Sequence, residues 1–523
     1  MAAGLAAPAL AGGDPGDLAA YVRARAADAD GRGDRAAVDY ARALDAAPGN
    51  VVIAIRAYRA GLQVGDEALV ARSRAVLESA DVEPGDTALL ALADAVRSGN
   101  NAATQAALGK IAAGPLDFVA PPLRAWTIVG TDPKRALAQF DGLPRRSLGA
   151  RYNTEARALI TLAAGRKRDG VVAVEALLVA EPDDRDLRLS AAQLLVANDG
   201  AAEAQQLLRD KDRGDATART GAVPQPIAAF GIARFYTRLG ADLIDEDTAP
   251  LAIVLARAAL KLDPRYDRAR LLLTRALAGE GALPAALSAL DMITPDSAWF
   301  ADAQAERVAL LRRAGKTADA LAAATKLAEA PDADVDALRR EADLLMTEAR
   351  YADAAAAYRR AIARAGDEAG WLLYLQAGSA LDRAGRWREA RPLIEKSIAL
   401  APDQPIALNY LGYGALENGG DIAEARKLLE RAAALRPGDD SILDSLAWSY
   451  LLGGDAPRAV PLLERAAAGS PDNGTISEHL GDAYWHVGRR FEARYAWAAA
   501  KLLAKDDDAA RIAAKIANGP VPR

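Results

Sequence analysis

Residues 406–435 read IALNYLGYGALENGGDIAEARKLLERAAAL, and the pattern within them decides the fold. Leu411-Gly412 belong to a first helix, Gly419-Gly420 mark a turn, and Ala425, Leu429 and Ala432 recur at helical spacing on a second. The next unit repeats this with Leu446-Ala447, Tyr450, Gly453-Gly454, Ala459, Leu463 and Ala466. A third gives Leu480-Gly481, Tyr484, Gly488, Ala493, Trp497 and Ala500. Moving outward, Ala252, Ala286, Ala320, Ala354, Ala390, Ala425, Ala459 and Ala493 recur at steps of 34 to 36 residues. That period is the length of one hairpin of two short antiparallel helices. Pro402, Pro437 and Pro471 close the units, and Asp403, Asp439 and Asp472-Asn473 follow as candidate caps for the next helix. The spacing predicts an all-α solenoid of stacked antiparallel helix pairs, about 14 hairpins in all.

Composition agrees with closely packed helices and narrows the chemistry. Of 523 residues only 5% are aromatic while 51% are hydrophobic, much of that alanine, which suits helices better than sheets. A net charge of -6 argues against a nucleic-acid binder, which would carry a basic stripe. The sequence contains no cysteine, excluding disulfides, thiolate zinc sites, cysteine nucleophiles and a lipidated cysteine within it. The two histidines, His479 and His486, lie seven residues apart near Glu478 and Asp482, without the H-E-x-x-H spacing of a zinc helix. Gly315-Lys316-Thr317 resembles the end of a phosphate loop, but Leu310 stands where its first glycine belongs, so an inter-helix turn is expected. No catalytic residue, cofactor or metal ligand is expected, and no stretch is apolar enough for a membrane helix.

Five segments are expected. Residues 1–16 form a leader in which Ala9-Leu10-Ala11 reads as a cleavage site without its basic region, the remnant of a signal peptide; the alternative is a flexible leader on a cytosolic protein. Residues 17–209 form a degenerate N-terminal array, and 210–226, polar and proline-bearing, form a linker. Residues 227–505 form a better-kept C-terminal array. Residues 506–523 supply a capping helix over Ala509–Ala517 and a disordered tail from Gly519. The phase slips once, with the excess in the acidic stretch Gly240–Pro250, read either as a functional loop or as a tolerated insertion.

The small residues, turn glycines and closing prolines quoted above resemble the tetratricopeptide repeat (TPR) family, over most of the chain. The resemblance implies a right-handed superhelix whose first helices line a concave, protein-binding groove. On matching positions the groove would present Asn409, Tyr413 and Glu417, then Asp444, Trp448 and Leu451, then Glu478, Asp482, Trp485 and His486. Acidic residues among aromatics would favour a basic or amide-bearing peptide, with tryptophans as anchors. The same acids disfavour the chaperone carboxylate termini that some TPR proteins grip. Packing of Trp448 or Trp485 between helices is the competing expectation.

Over roughly 400–500, the runs Asn409-Tyr410-Leu411-Gly412-Tyr413, Asp444-Ser445-Leu446-Ala447-Trp448 and Glu478-His479-Leu480-Gly481-Asp482 look like exported bacterial cell-envelope TPR proteins. Some of these are lipoprotein adaptors for a periplasmic processing protease. The resemblance implies a non-catalytic scaffold or adaptor in the periplasm, binding protein or peptide partners such as an envelope protease or assembly factor. A cytosolic assembly or regulatory protein and a polysaccharide-export scaffold remain alternatives.

Overall fold

Helices make up the regular structure of the described residues, which in this computed structural model are 15–82, 84–144, 146–208, 223–244, 248–331 and 333–520. Residues 1–14 of the expected leader, 210–222 of the expected linker and 521–523 of the tail lie outside them, as do Asp245, Glu246 and Asp247, and helix α1 takes in the last two residues expected in the leader. In chain order the helices are α1 Pro15–Ala29, α2 Gly33–Ala46, α3 Val51–Val64, α4 Glu67–Ser79, α5 Thr87–Ser98, α6 Asn101–Ala113, α7 Ala120–Ile128, α8 Pro133–Ala138, α9 Ala150–Ala163, α10 Lys167–Ala180, α11 Arg185–Ala197 and α12 Ala201–Leu207. They continue with α13 Ile227–Asp242, α14 Ala249–Leu262, α15 Asp267–Gly279, α16 Leu283–Asp291 and α17 Phe300–Arg313. The chain divides into two compact units, Met1–Lys316 and Thr317–Arg523. The second unit holds α18 Thr317–Ala328, α19 Val335–Thr347, α20 Tyr351–Ala365, α21 Trp371–Arg383, α22 Trp387–Leu400, α23 Pro405–Glu417 and α24 Ile422–Leu435. It ends with α25 Asp440–Leu452, α26 Ala456–Gly469, α27 Gly474–His486, α28 Arg490–Leu503 and α29 Asp506–Asn518. The helices thus follow one another two by two, as the period requires, with α29 closing the series.

The hairpins form where the local chemistry says they should. Asp439 accepts from the Ile442 amide and Asn473 from the Thr475 and Ile476 amides, satisfying donors that a helix start leaves free. Asp403 instead pairs with Arg431 at 2.6 Å, and α23 starts on Pro405. Gly315 turns the chain at φ +69° and Lys316 N bonds Leu311 O, so the phosphate-loop look-alike is an inter-helix turn. Within hairpins the small residues permit close approach. A Cβ on Gly412 would stand 2.7 Å from Leu429 Cγ, and one on Gly378 2.6 Å from Ile394 Cγ1. Ala354, Ala390, Ala459 and Ala493 are fully buried at the same interfaces.

The structure places the division differently from the expected linker at 210–226: helices on both sides of it belong to the first unit. α13 packs on α5, α7 and α9, and α14 on α3 and α5, the first helices of the preceding hairpins. Gly231 is the contact point, because Trp126 of α7 occupies the space any side chain there would take. Tyr236 donates to Leu89 O at 3.1 Å, and Arg257 donates to Leu62 O and Gln63 O at 2.9 and 2.8 Å. The phase slip has a structural cause. α13 runs on to Asp242, which accepts from Tyr152 at 3.0 Å, and Gly240 sits against Leu272. The extra length up to Asp242 belongs to this packed hairpin, whose first helix lies on α5, α7 and α9 of the N-terminal array.

Candidate functional site

The first helices of the second unit carry the ten residues singled out from the sequence, and the structure sorts them into two groups. Asp444, Trp448, Leu451, Glu478 and Asp482 are buried. Asn409, Tyr413 and Trp485 are half-buried, and Glu417 and His486 are exposed.

The buried group binds each helix to the next. Trp448 Nε1 donates to Glu417 Oε1 at 2.8 Å, from α25 to α23. His479 of α27 lies parallel to the Trp448 ring at 4.0 Å, and its Nδ1 donates to the Asp444 carboxylate at 2.9 Å. Glu478 and Asp482 both accept from Lys515 of α29, at 2.6 and 2.7 Å, and Arg511 donates to Glu478 at 2.9 Å. Trp497 Nε1 adds a bond to Asp482 at 2.9 Å. The expectation that these residues form an open docking strip is therefore corrected. Carboxylates removed from water need a partner, and groups one repeat further along supply it. Burial pushes the Glu478 carboxyl up, but the hydrogen bonds from Arg511 and Lys515 outweigh this and hold it below the usual range.

α29 covers the end of the array, seating Ile512 against Trp497 and Ala500. Gly519, expected in a disordered tail, is buried against the indole of Trp485. Trp485 also lies 5.4 Å from Trp497 and under the Arg490 guanidinium, so it packs at this end rather than facing a partner. His486 Nδ1 donates to Asp482 O at 2.8 Å, an ordinary bond along one helix. Among the described residues no group of three or more His, Cys, Asp or Glu side chains is placed to hold a metal.

Two amide side chains, on α21 and α23, are engaged less completely. Among the described residues, Asn409 Oδ1 is a buried acceptor with no hydrogen-bond partner, and so is Gln376 Oε1 on α21. Gln376 uses its amide nitrogen on Asp343 Oδ1 at 3.3 Å, leaving its carbonyl as the unused end. Tyr413 stands beside Asn409 on the following turn, half-exposed, its ring 6.5 Å from His479. Sequence reasoning missed Gln376, Arg511 and Lys515. Opposite charges one repeat apart, Glu478 with Arg511 and Asp482 with Lys515, were the available signal.

In the first unit a cleft of about 520 Å³ opens between Gly31–Asp34, Gln63, Leu260 and Met292. Its arginines are engaged, Arg257 with the carbonyls ending α3 and Arg270 with Asp267 at 2.6 Å.

Residues 375–440, which span α21 to the start of α25, match the tetratricopeptide repeat family model. That segment is similar to a tetratricopeptide repeat. Solved structures similar to the chain are TPR proteins. YrrB, described as a TPR protein with an unusual peptide-binding site, is 20% identical, with 34% of this chain and 89% of that chain covered and a TM-score of 0.29. TTC0263, a thermophilic TPR protein from Thermus thermophilus, is 20% identical over 35% of this chain and 98% of that one, with a TM-score of 0.31. MamA is 22% identical over 30% and 91%, with a TM-score of 0.27. No curated protein matches the chain. Gln376, Asn409 and Tyr413 all fall inside the matched tetratricopeptide segment.

Proposed function

We propose that the protein is a non-catalytic scaffold that binds an extended peptide segment of a partner along α21 and α23. The pair of unpartnered amide oxygens, Gln376 Oε1 and Asn409 Oδ1, carries this reading. A buried acceptor left unbonded costs on the order of 1–3 kcal/mol, and turning each side chain outward to accept from the backbone N–H groups of a bound peptide would satisfy both. Neighbouring helices lie about 8–10 Å apart, close to three residues of extended chain at roughly 3.3 Å each. One peptide can thus reach successive amides. Tyr413 would supply the aromatic surface beside them.

Selection of a displayed random-peptide library on the full-length chain tests it. Enriched peptides should bind about tenfold more weakly to Asn409→Leu or Gln376→Leu, each of which removes one acceptor. Failure to enrich any sequence, or equal binding to both variants, overturns the reading.

The setting we propose is the bacterial envelope, with an envelope protease or assembly factor as partner. The Ala9-Leu10-Ala11 sequence and the character of residues 400–500 support it. Fractionation of the native cell checks this separately: recovery from the cytosol removes the export claim and leaves the scaffold reading standing.

A further inference from the structure

Helix α28 carries a surface that neither the stack nor the peptide-binding reading uses. Phe491, Tyr495 and Leu502 are 70%, 65% and 88% exposed. Their steps of four and seven residues set them on one stripe of the helix. The two rings meet edge to face with centroids 4.8 Å apart. At the same register α26 places Pro457, Pro461 and Ala468, and its exposed Glu464-Arg465 become Ala498-Ala499 in α28. Along the stripe the last hairpin has exchanged two prolines and an alanine for two aromatic rings and a leucine, and beside it an ion-forming pair for two alanines.

Arg490, Arg494 and Lys501 follow the same steps along one edge of that stripe. Arg490 lies over the Trp485 ring at 3.7 Å, Arg494 donates to Ile516 O at 3.0 Å, and Lys501 is exposed. These contacts orient the two arginines without cancelling their charge. A row of cations therefore borders an exposed apolar stripe in a chain whose net charge is -6.

We propose that this face of α28 docks on an anionic lipid surface. The rings would sit at headgroup depth, Leu502 would enter the acyl boundary, and the cation row would meet lipid phosphates. The charge pattern selects against a second copy, since antiparallel pairing of α28 with itself sets Arg490 and Arg494 against the other copy's Lys501. A convex stripe one helix wide, with its cations in a line, fits a planar anionic surface.

Co-sedimentation of the full-length chain with vesicles tests this. The chain should pellet with phosphatidylcholine vesicles containing phosphatidylglycerol, not with phosphatidylcholine alone, and should be released by high salt. Lys501→Gln should weaken the binding about fivefold. Phe491→Ser with Tyr495→Ser should abolish it while circular dichroism stays unchanged, and Phe491→Trp should retain it. No binding to the anionic vesicles overturns the proposal, as does equal binding by the double serine variant. A dimer in light scattering that the same variant dissociates would instead make the face a contact between copies and equally overturn it.

Discussion

The imidazole of His479 stacks on the indole of Trp448, centroids 4.0 Å apart and planes 15° from parallel, while Asp444 holds its Nδ1 at 2.9 Å. Residues from successive repeats are thereby locked face to face. Trp448→Ala should therefore destabilise the fold, by about 3–5 kcal/mol, because it opens a cavity and strips one face of the imidazole. Urea unfolding measures this. Unchanged stability with loss of peptide binding would return Trp448 to a docking role.

Close helix approach at Gly412 can be tested against a turn glycine. Gly412→Val meets Leu429 and should cost about 1–3 kcal/mol through overpacking. Gly419 has open space around it but φ +72°, so Gly419→Ala should cost about 1 kcal/mol through backbone strain alone. Equal tolerance of both substitutions in thermal melts would show that the Gly412 contact relaxes freely.

The Glu478 carboxyl, held below its ordinary value of 4.5 by Arg511 and Lys515 against the effect of burial, makes the docking of α29 acid-sensitive. A lowered folded pKa means that this contribution is full above 4.5 and is lost as pH falls through the folded value. Hydrogen exchange should show protection of residues 506–518 at neutral pH and its loss in acid. Lys515→Glu, which sets a third carboxylate against Glu478 and Asp482, should release the helix at neutral pH as well. Retained protection in that variant would mean that Ile512 and its apolar contacts suffice.

In the first unit the sign is opposite. The Glu155 carboxyl is pushed up to about 8, first by burial and then by Asp184 and Asp186, with Arg151 opposing. Arg238, 3.4 Å away, is shared with Glu181 and Asp184. The folded chain holds this proton more tightly than the unfolded chain, so the stability it contributes is full below pH 4.5 and lost as pH rises through about 8. Melting temperature should fall across that window, and Glu155→Gln should flatten the fall. An unchanged slope would place the titration elsewhere, Asp186 being the next group raised by burial.

The C-terminal hairpins were readable because each is a local object. Gly419-Gly420, Asp439 and Asn473 act within a few residues of themselves, and Ala425, Leu429 and Ala432 state their period directly. Asn409 and Tyr413 could be placed on the first-helix face from register alone. Register does not say whether a face is free. Asp444 and Glu478 occupy matching positions, yet each is covered by a different group, His479 in one repeat and Arg511 with Lys515 in the other. The same limit hid the fate of 227–262. Those residues scan as another repeat, and nothing local tells Gly231 that Trp126 lies across from it.

Taken alone, the order of residues determined the helices, their pairing and the small side chains at their crossings, since these follow from interactions within one period of about 34 residues. Only the tertiary structure decided which faces remain available. Tyr236 reaches Leu89 across 147 positions, and Arg257 reaches Leu62 across 195. Such contacts depend on the accumulated curvature of many stacked pairs. Small rotations at each crossing add along the stack, so no single repeat encodes where its inner wall will be filled and where it stays open.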